Sequence, residues 1–310
     1  MPPCKLDIQQ KSILGGKKMM NVEALFCKLD DFEQDYESKH KDQLVSDDKA
    51  TRNRKTGLSR SEIMTILILF QMSAFRHLKA FYTTYVCVHM RKEFPGLLSY
   101  NRFIQLIPRV IVVMLSFLYT LGGKITGISF VDSTPIAVCH MKRANRNKAF
   151  KGIAELGKCT MGWFFGFKLH LIVNDQGEIL NFALTKGNVD DRVPLDKMTT
   201  NLIGKLFGDR GYISAKKTKK LLKQGLRLIT SLGSNMKNKL LPMADKLLLR
   251  KRFIIETIND QLKNISQIEH SRHRSPVNFL LNLFAGLIAY QLQPKKPSLN
   301  FSRKQLAMIS

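Results

Sequence analysis

The sequence has few acidic residues for its length. It contains 24 Asp and Glu against 50 Lys and Arg, which gives a formal net charge of +26 and a sequence pI of about 10.0. Solubility alone needs a much smaller net charge. The excess therefore favours a polyanionic partner, and the release of counterions makes nucleic acid the natural one. From Arg210 onward the only side-chain carboxylates are those of Asp245, Glu256, Asp260 and Glu269.

Cysteine is scarce as well, and its spacing does not suit structural chemistry. The five cysteines are scattered, odd in number and without CxxC spacing. A disulfide framework or a zinc finger does not fit this pattern, whereas a cytosolic chain with reduced thiols does. The first residues also lack the charged start and apolar stretch of a signal peptide. We expect a cytoplasmic protein that associates with the nucleoid.

Long apolar runs are missing too. No uninterrupted run reaches the roughly 18 residues of a membrane-spanning helix. Two segments come nearest, Val110–Leu121 and Asn278–Leu292, and both are short enough to be buried helices. The sequence therefore gives no indication of a membrane protein.

Composition and pattern divide the chain into four parts. With 310 residues, 44% of them hydrophobic, the chain can form a sizeable core and two domains. Residues 1–19 are polar and without period, and we expect a disordered extension. Residues 20–122 are expected to form a helical domain, residues 123–293 a catalytic domain with strands, and residues 294–310 a basic tail.

The helical region carries helix-start signals and many cations. Ser59 and Glu62 have the spacing of a capping box, and Ser99 marks a second start. Short helices with Arg and Lys between them suit a DNA-binding module similar to a helix-turn-helix. A helical bundle with a solvated basic face fits these residues equally well.

The pattern changes to strands from Lys124 onward. Helical stretches near Val193–Ile203 and Ser214–Gln224 separate some of the strands, and Asn174–Gly177 is a turn signal for a hairpin. The candidate strands are Ile125–Val138, Trp163–Val173, Glu178–Leu184, Leu206–Gly208 and Leu226–Leu232. Three strands in series, then alternating helix and strand, then helices, predict an α/β fold. Its mixed sheet is flanked by helices, in the order of an RNase H-like fold.

Three carboxylates stand at informative places in this pattern. Asp132 and Asp209 each follow a short apolar run, which predicts a buried strand that delivers a carboxylate at its end. Glu256 lies on a predicted helix. Hard divalent cations need clustered carboxylate oxygens, and phosphoryl-transfer enzymes use such clusters to hold two metal ions. On a chain this basic, the arrangement predicts metal-dependent chemistry on DNA.

The predicted helix around Glu256 also carries cations. Leu249, Arg252, Glu256 and Lys263 fall at i, i+3, i+7 and i+14, which places them on a stripe roughly 60° wide if the helix is continuous. Arg252 and Lys263 would then meet phosphates of one strand. An ordinary i,i+4 pair of Arg252 with Glu256 is the alternative. Spacing alone does not exclude Asp260 as the third ligand.

These motifs resemble the DDE transposases of bacterial insertion sequences. Arg252, Glu256 and Lys263 match the family's signature helix, except that Leu249 stands where the family usually has Tyr. The start Leu25–Phe32 resembles the IS982 family in particular, whose catalytic domain is similar to those of the IS4 and IS5 families. Further segments match in the same order along the chain, namely Val131–Pro135, Gly166–His170, Gly187–Arg192 and Gly208–Tyr212.

The resemblance implies a function and its residues. Asp132, Asp209 and Glu256 would be catalytic and bind two Mg²⁺ ions, for which Mn²⁺ substitutes. The chain would act on terminal inverted repeats and target DNA, as a homodimer or larger assembly. The resemblance and the basic pattern together predict these DNA-binding residues: Arg252, Lys263, Lys142, Arg143, Arg146, Lys168 and Arg210.

Two other functions remain open from the sequence. A DNA nuclease or resolvase would share the three carboxylates, and a catalytically silent, domesticated DNA-binding regulator would keep the fold without the chemistry. One smaller expectation concerns Asp190 and Asp191, which we predict to cap the following helix rather than to bind metal.

Overall fold

The computed structural model describes residues 21–44, 57–231, 241–269 and 273–299, and the chain divides into two compact units. The first, the helical unit, takes its described residues from Met1–Leu121 and Asn264–Gln293. The second, the sheet unit, takes them from Gly122–Lys263 and Pro294–Ser310. The extension predicted for residues 1–19 lies outside the described residues, as does the basic tail from residue 300 onward.

The described part of the helical unit contains helices and no strands. The helices are α1 (Val22–Leu44), α2 (Arg60–Met72), α3 (Leu78–Ala80), α4 (Cys87–His89), α5 (Tyr100–Leu106) and α6 (Ile111–Thr120). A π-helix, Phe81–Val86, lies between α3 and α4, and a 3-10 helix, Ile107–Val110, lies between α5 and α6. A further helix, Pro276–Gln291, packs against α2 and α6 and is called the C-terminal helix below. The domain boundaries expected from the sequence stay predictions, but this helix belongs to the helical unit by its contacts.

The helix starts predicted in this unit are confirmed. The Ser59 side chain accepts a hydrogen bond from the backbone N–H of Glu62, and the Glu62 carboxylate accepts one from the backbone N–H of Ser59 at 2.6 Å. Ser99 caps α5 in the same way by accepting from Arg102. These caps satisfy backbone donors that the first turn leaves unpaired.

Within the described residues, the run Tyr100–Thr120 is long and apolar enough to cross a membrane by length and composition alone. Helices in the core of soluble proteins pass the same test. Here 44% of the run is buried, and α6 packs against α1 and the C-terminal helix. We therefore interpret the run as a core helix, which agrees with the buried helices expected near Val110–Leu121 and Asn278–Leu292.

A mixed six-stranded sheet forms the centre of the sheet unit. Its strands are β1 (Ile128–Cys139), β2 (Glu155–Cys159), β3 (Gly162–Asn174), β4 (Ile179–Lys186), β5 (Gly204–Gly208) and β6 (Leu226–Thr230). The order is β2-β3-β1-β5-β6, and β4 pairs with β3. The β1–β5 and β5–β6 pairs are parallel, and the pairs that involve β3 are antiparallel. The helices of this unit are α7 (Leu195–Met198), α8 (Ala215–Lys223), α9 (Met243–Arg250) and α10 (Phe253–Asn264).

This architecture confirms the predicted fold class, an RNase H-like mixed sheet flanked by helices with a helical region before it. The predicted turn also forms, because Asn174 accepts hydrogen bonds from Gln176 and Glu178 and Gly177 takes a φ of 74°. Strand β2 was not predicted. Its residue Leu156 is 43% exposed, so pairing with β3 rather than a burial pattern defines this edge strand.

The helix around Glu256 differs from the prediction. The chain turns at Lys251 and Arg252, so α9 ends at Arg250 and α10 begins at Phe253. The prediction of one continuous helix from Leu249 to Lys263 is therefore wrong, although Glu256 and Lys263 both lie on α10.

The two helices on either side of this turn contact different strands. α9 packs against β5 and β6, whereas Asn259 of α10 contacts Asp132 on β1. The buried side chains are Asp245 and Leu248 on α9, and Ile254, Ile255, Ile258, Asn259 and Leu262 on α10. The turn allows each segment to pack separately.

Candidate active site

Asp132 and Asp209 lie at neighbouring positions of the sheet. Phe130 pairs with Phe207 in the parallel β1–β5 ladder, and each Asp follows two residues later on its own chain. Neighbouring strands lie about 4.8 Å apart, and residues i and i+2 point to the same face. The two strands are so close here that a Cβ atom added at Gly208 would lie 3.1 Å from Cγ1 of Val131. Asp209 directly follows β5, whereas Asp132 lies within β1, two positions after the last pair of the parallel ladder. The prediction that the strand ends at Asp132 is therefore wrong, because β1 continues in its pairing with β3.

The carboxylate of Asp132 is largely desolvated and held from helix α10. Its side chain is 18% exposed, and its Oδ2 accepts a hydrogen bond from Nδ2 of Asn259 at 3.0 Å. Burial raises the pKa of Asp132 to about 7. Arg252 and a backbone hydrogen bond from Ser133 act in the opposite direction, while the negative charges of Asp209 and Glu256 add to the rise. The three predicted carboxylates thus interact electrostatically.

Arg252 lies between two of these carboxylates. Its Nη2 donates to Oε1 of Glu256 at 2.8 Å, and its Nη1 is 3.8 Å from Oδ1 of Asp132. The Arg252–Glu256 contact is thus the i,i+4 pair considered as an alternative, but the same guanidinium also faces Asp132. The charge of Glu256 contributes to the raised pKa of Asp132.

The donor set suits a hard divalent cation, although the carboxylates do not surround one position. Among the described residues, no three His, Cys, Asp or Glu side chains are placed closely enough to hold a metal ion together. The side chains of Asp132, Asp209 and Glu256 nevertheless offer only oxygen donors, which Mg²⁺ and Mn²⁺ prefer. The positive guanidinium of Arg252 at these carboxylates shows that they favour a cation there.

A second polar layer lies beside the carboxylates. Tyr212 is 1% exposed, and burial together with the charges of Asp132, Asp191 and Asp209 raises the pKa of its hydroxyl. Asp191 in turn pairs with Nζ of Lys168 at 2.9 Å. Lys168, predicted to contact DNA, is therefore placed in an internal ion pair with 16% of its side chain exposed.

The prediction that Asp190 and Asp191 cap the next helix is wrong. Pro194 occupies the N-cap position of α7, without a side-chain capping bond. Asp190 instead pairs with Arg192, whose N–H groups lower the pKa of Asp190 to about 2. Asp191 instead accepts a hydrogen bond from the ammonium group of Lys168. This bond is charge-assisted and therefore stronger than one from a backbone N–H at a helix start.

The other predicted DNA contacts lie on three separate elements of the sheet unit. Lys142, Arg143 and Arg146 belong to an exposed 3-10 helix, Met141–Arg146, which follows β1. Arg210 is exposed and directly follows Asp209. Lys263 lies in the last turn of α10, seven residues after Glu256. Their role in DNA binding stays a prediction.

His170 is a structural histidine of the sheet. Its side chain is 1% exposed, and Nε2 lies 2.8 Å from the hydroxyl of Thr185. Burial lowers the pKa of His170 to about 4, from an ordinary value of 6.5. The charge of Asp191 opposes this shift and that of Lys168 adds to it.

We expect His170 to make the fold acid-sensitive. Because the unfolded chain binds the proton first, stability is lost as pH falls from about 6.5 to about 4, and the loss at pH 5 is about 2 kcal/mol. His170→Gln should remove that part of the loss. Urea unfolding at pH 8 and pH 5 measures it, with His77→Gln as the exposed control. An equal pH loss in wild type and His170→Gln would contradict the assignment.

Sequence reasoning missed Asn259 and Tyr212 as parts of the site. Asn259 stands one helical turn after Glu256, so its position on the same helix was visible. Nothing in the local sequence distinguishes Asn259 from an ordinary helical Asn, because its contact with Asp132 spans 127 positions of sequence. Tyr212 belongs to a motif already noted, but its burial depends on tertiary packing.

The sequence was also compared with known protein families. Residues 122–276 match a family model described as Transposase DDE domain, which spans half of the chain. The matched segment contains Asp132, Asp209 and Glu256 together with Arg252 and Lys263. No curated protein matches the chain significantly.

Proposed function

Because the chain belongs to the transposase DDE domain family, we propose that it is the transposase of a bacterial insertion sequence of the IS982 family. It binds the terminal inverted repeats, cleaves DNA at the ends of the element, and joins the freed 3′-hydroxyl to target DNA. A net charge of +26 suits this substrate. The observation that supports the proposal best is the electrostatic cluster of Asp132 within β1, Asp209 directly after the neighbouring β5, and Glu256 on α10.

Members of this family generally use divalent metal ions. We propose that Asp132, Asp209 and Glu256 hold two Mg²⁺ ions, for which Mn²⁺ substitutes. Such ions activate the attacking oxygen and stabilise the leaving oxygen at phosphorus. Asp132 would lie between the other two ligands, since both Asp209 and Glu256 act on its charge.

The protein's own groups have distinct tasks in this proposal. Arg252 balances the carboxylates in the metal-free protein and is then available to grip a phosphate with its forked N–H groups. Asn259 holds one oxygen of Asp132 and leaves the other, Oδ1, directed toward Arg252. The exposed cations on Met141–Arg146, together with Arg210 and Lys263, provide positive charge for the DNA backbone.

A cleavage and strand-transfer assay tests the proposal. The probe is duplex DNA carrying the ends that flank this gene, incubated with wild-type protein and Mg²⁺ or with EDTA. We expect nicks at the element boundary and joined products in Mg²⁺, and neither in EDTA. Cleavage without regard to the ends would favour a nuclease or resolvase. Specific end binding without cleavage in Mg²⁺ or Mn²⁺ would favour a regulator.

Asn259→Leu should weaken metal binding while the protein stays folded. Loss of the donor to Asp132 frees that carboxylate to reorient, and such supporting partners are typically worth about 10–100-fold in metal affinity. Mn²⁺ titration followed by electron paramagnetic resonance measures the effect. The matched control is Gln261→Leu, which removes another amide with a buried, unpaired oxygen on α10. Equal Mn²⁺ affinity in the two variants would refute the positioning role.

A further inference from the structure

The hydroxyl of Tyr212 is buried beside the carboxylates of the candidate active site. Tyr212 is 1% exposed, and its hydroxyl has no hydrogen-bond partner of good geometry among the described residues. Ser133 approaches the hydroxyl, but not in the arrangement of a full hydrogen bond. A buried hydroxyl without a partner costs free energy, because it has given up its hydrogen bonds to water. Such a group calls for an explanation, and a functional role is one.

The ring of Tyr212 is held beside the two chain segments that carry the carboxylates. It belongs to a buried cluster that includes Val131 of β1. The same added Cβ at Gly208 that would approach Val131 would lie 3.2 Å from Cδ2 of Tyr212. Val131 directly precedes Asp132, and Gly208 directly precedes Asp209. The ring therefore packs next to the backbone from which both carboxylates extend, and this packing fixes the position of the hydroxyl.

The surroundings of the hydroxyl are negatively charged. Burial raises the pKa of the Tyr212 hydroxyl, and the charges of Asp132, Asp191 and Asp209 raise it further, in that order of size. The hydroxyl therefore stays protonated, and a protonated phenol can donate a hydrogen bond to a carboxylate.

The three carboxylates differ in how far their own contacts satisfy them. Asp191 accepts a hydrogen bond from Nζ of Lys168 at 2.9 Å, and Oδ1 of Asp209 accepts one from a backbone N–H two residues later, also at 2.9 Å. Oδ1 of Asp132 instead faces Nη1 of Arg252 at 3.8 Å, which is too long for a hydrogen bond. Asp132 is thus the carboxylate whose surroundings change most when Arg252 is released to bind a phosphate.

We propose that Tyr212 is a positioning residue of the active site, whose hydroxyl donates a hydrogen bond to Asp132 when that carboxylate ligates metal. The proposal rests on the proposed function, because it takes Asp132 as a metal ligand. Asn259 of α10 already donates to Oδ2 of Asp132 at 3.0 Å. The orientation of one ligand would then be fixed by two donors on separate elements, α10 and the short 3-10 helix Arg210–Tyr212. Supporting hydrogen bonds of this kind orient metal-binding side chains and tune their affinity.

Tyr212→Phe removes the hydroxyl and keeps the ring. In EDTA, the variant should unfold at the same urea concentration as the wild type or at a higher one, because the missing hydroxyl has no good partner there. Its Kd for Mn²⁺, measured on the full chain by electron paramagnetic resonance, should nevertheless be about tenfold weaker. A merely structural tyrosine would not combine retained stability with weakened metal binding.

Tyr82→Phe is the matched control, with the opposite expected pattern. Tyr82 is also fully buried, but its hydroxyl donates to the backbone carbonyl of Leu98 at 2.8 Å within the helical unit. Loss of this hydroxyl should lower the urea midpoint, because a buried carbonyl loses its donor, and should leave the affinity for Mn²⁺ unchanged.

Two results would overturn the role of Tyr212. One is an unchanged Mn²⁺ affinity in Tyr212→Phe. The other is a lower urea midpoint of this variant in EDTA, since the hydroxyl would then have its partner without metal. A wild-type protein that binds no Mn²⁺ would instead refute the metal-binding role of Asp132, and the role of Tyr212 with it. Tight binding by the wild type and by Tyr212→Phe alike would remove only the role of Tyr212.

Discussion

Asp132→Asn protein should fold normally and lose at least about a thousandfold in metal-dependent DNA cleavage. The substitution removes a charged oxygen donor at the centre of the carboxylate cluster. A metal-assisted step draws several kcal/mol of transition-state stabilisation from such ligands, and about 4 kcal/mol corresponds to a thousandfold in rate. Asp209→Asn and Glu256→Gln should show losses of the same order.

The stability of this variant distinguishes lost chemistry from lost folding. The folded-state pKa of Asp132, about 7, lies above its ordinary 3.8, so the folded protein holds this proton more tightly. Ionisation therefore opposes folding as pH rises through that range in EDTA. We expect Asp132→Asn to be at least as stable as the wild type at pH 8. A variant that melts earlier would point to a structural role instead.

Asp260→Asn provides the matched control on the same helix. Asp260 lies one turn beyond Glu256, and spacing alone left it as a possible third ligand. Because Glu256 acts on the charge of Asp132 and pairs with Arg252, we expect Glu256→Gln to abolish cleavage and Asp260→Asn to retain it. The opposite result would assign the third ligand to Asp260.

Lys205→Met should lower the free energy of unfolding by about 3 kcal/mol. Asp245 on α9 is fully buried, and its carboxylate lies 3.0 Å from Nζ of Lys205 and 3.6 Å from Arg227. Lys205 and Arg227 are opposite each other in the parallel β5–β6 ladder, so Asp245 also relieves their repulsion. Removal of the closer cation leaves a buried charge with incomplete compensation, which typically costs about 3–5 kcal/mol. The half-exposed Arg227 places the expected loss at the lower end.

The double variant Lys205→Met/Asp245→Leu tests the cause of that loss. Replacement of both partners by apolar groups is often close to neutral, because no unpaired charge stays buried. We therefore expect chemical denaturation to return the double variant to within about 1 kcal/mol of the wild type. Additive destabilisation of the two single changes would show instead that packing, rather than charge, explains the effect.

Local pattern was sufficient for much of the sheet unit. Apolar runs that end in Asp132 and Asp209 identified both strands, and alternation with turn residues placed the β3–β4 hairpin correctly. The parallel register that brings the two carboxylates side by side needs contacts across about 77 positions, which no local pattern contains.

The errors have a common physical origin in tertiary packing. The turn at Lys251 and Arg252 separates α9, which packs against β5 and β6, from α10, which reaches Asp132 on β1, although the residues themselves favour a continuous helix. Asp191 pairs with Lys168 of β3 instead of capping the following helix as the sequence predicted. In both cases a neighbour distant in sequence outweighed a local preference.

The position of the C-terminal helix also determines which unit can fold first during synthesis on the ribosome. α2 buries nearly every residue along its length, and part of that burial is against Pro276–Gln291. The N-terminal helices are synthesised first, but their core stays open until more than 150 further residues have been added. All six strands of the sheet unit are synthesised before then, so we expect the sheet to acquire protease resistance first in nascent chains of increasing length.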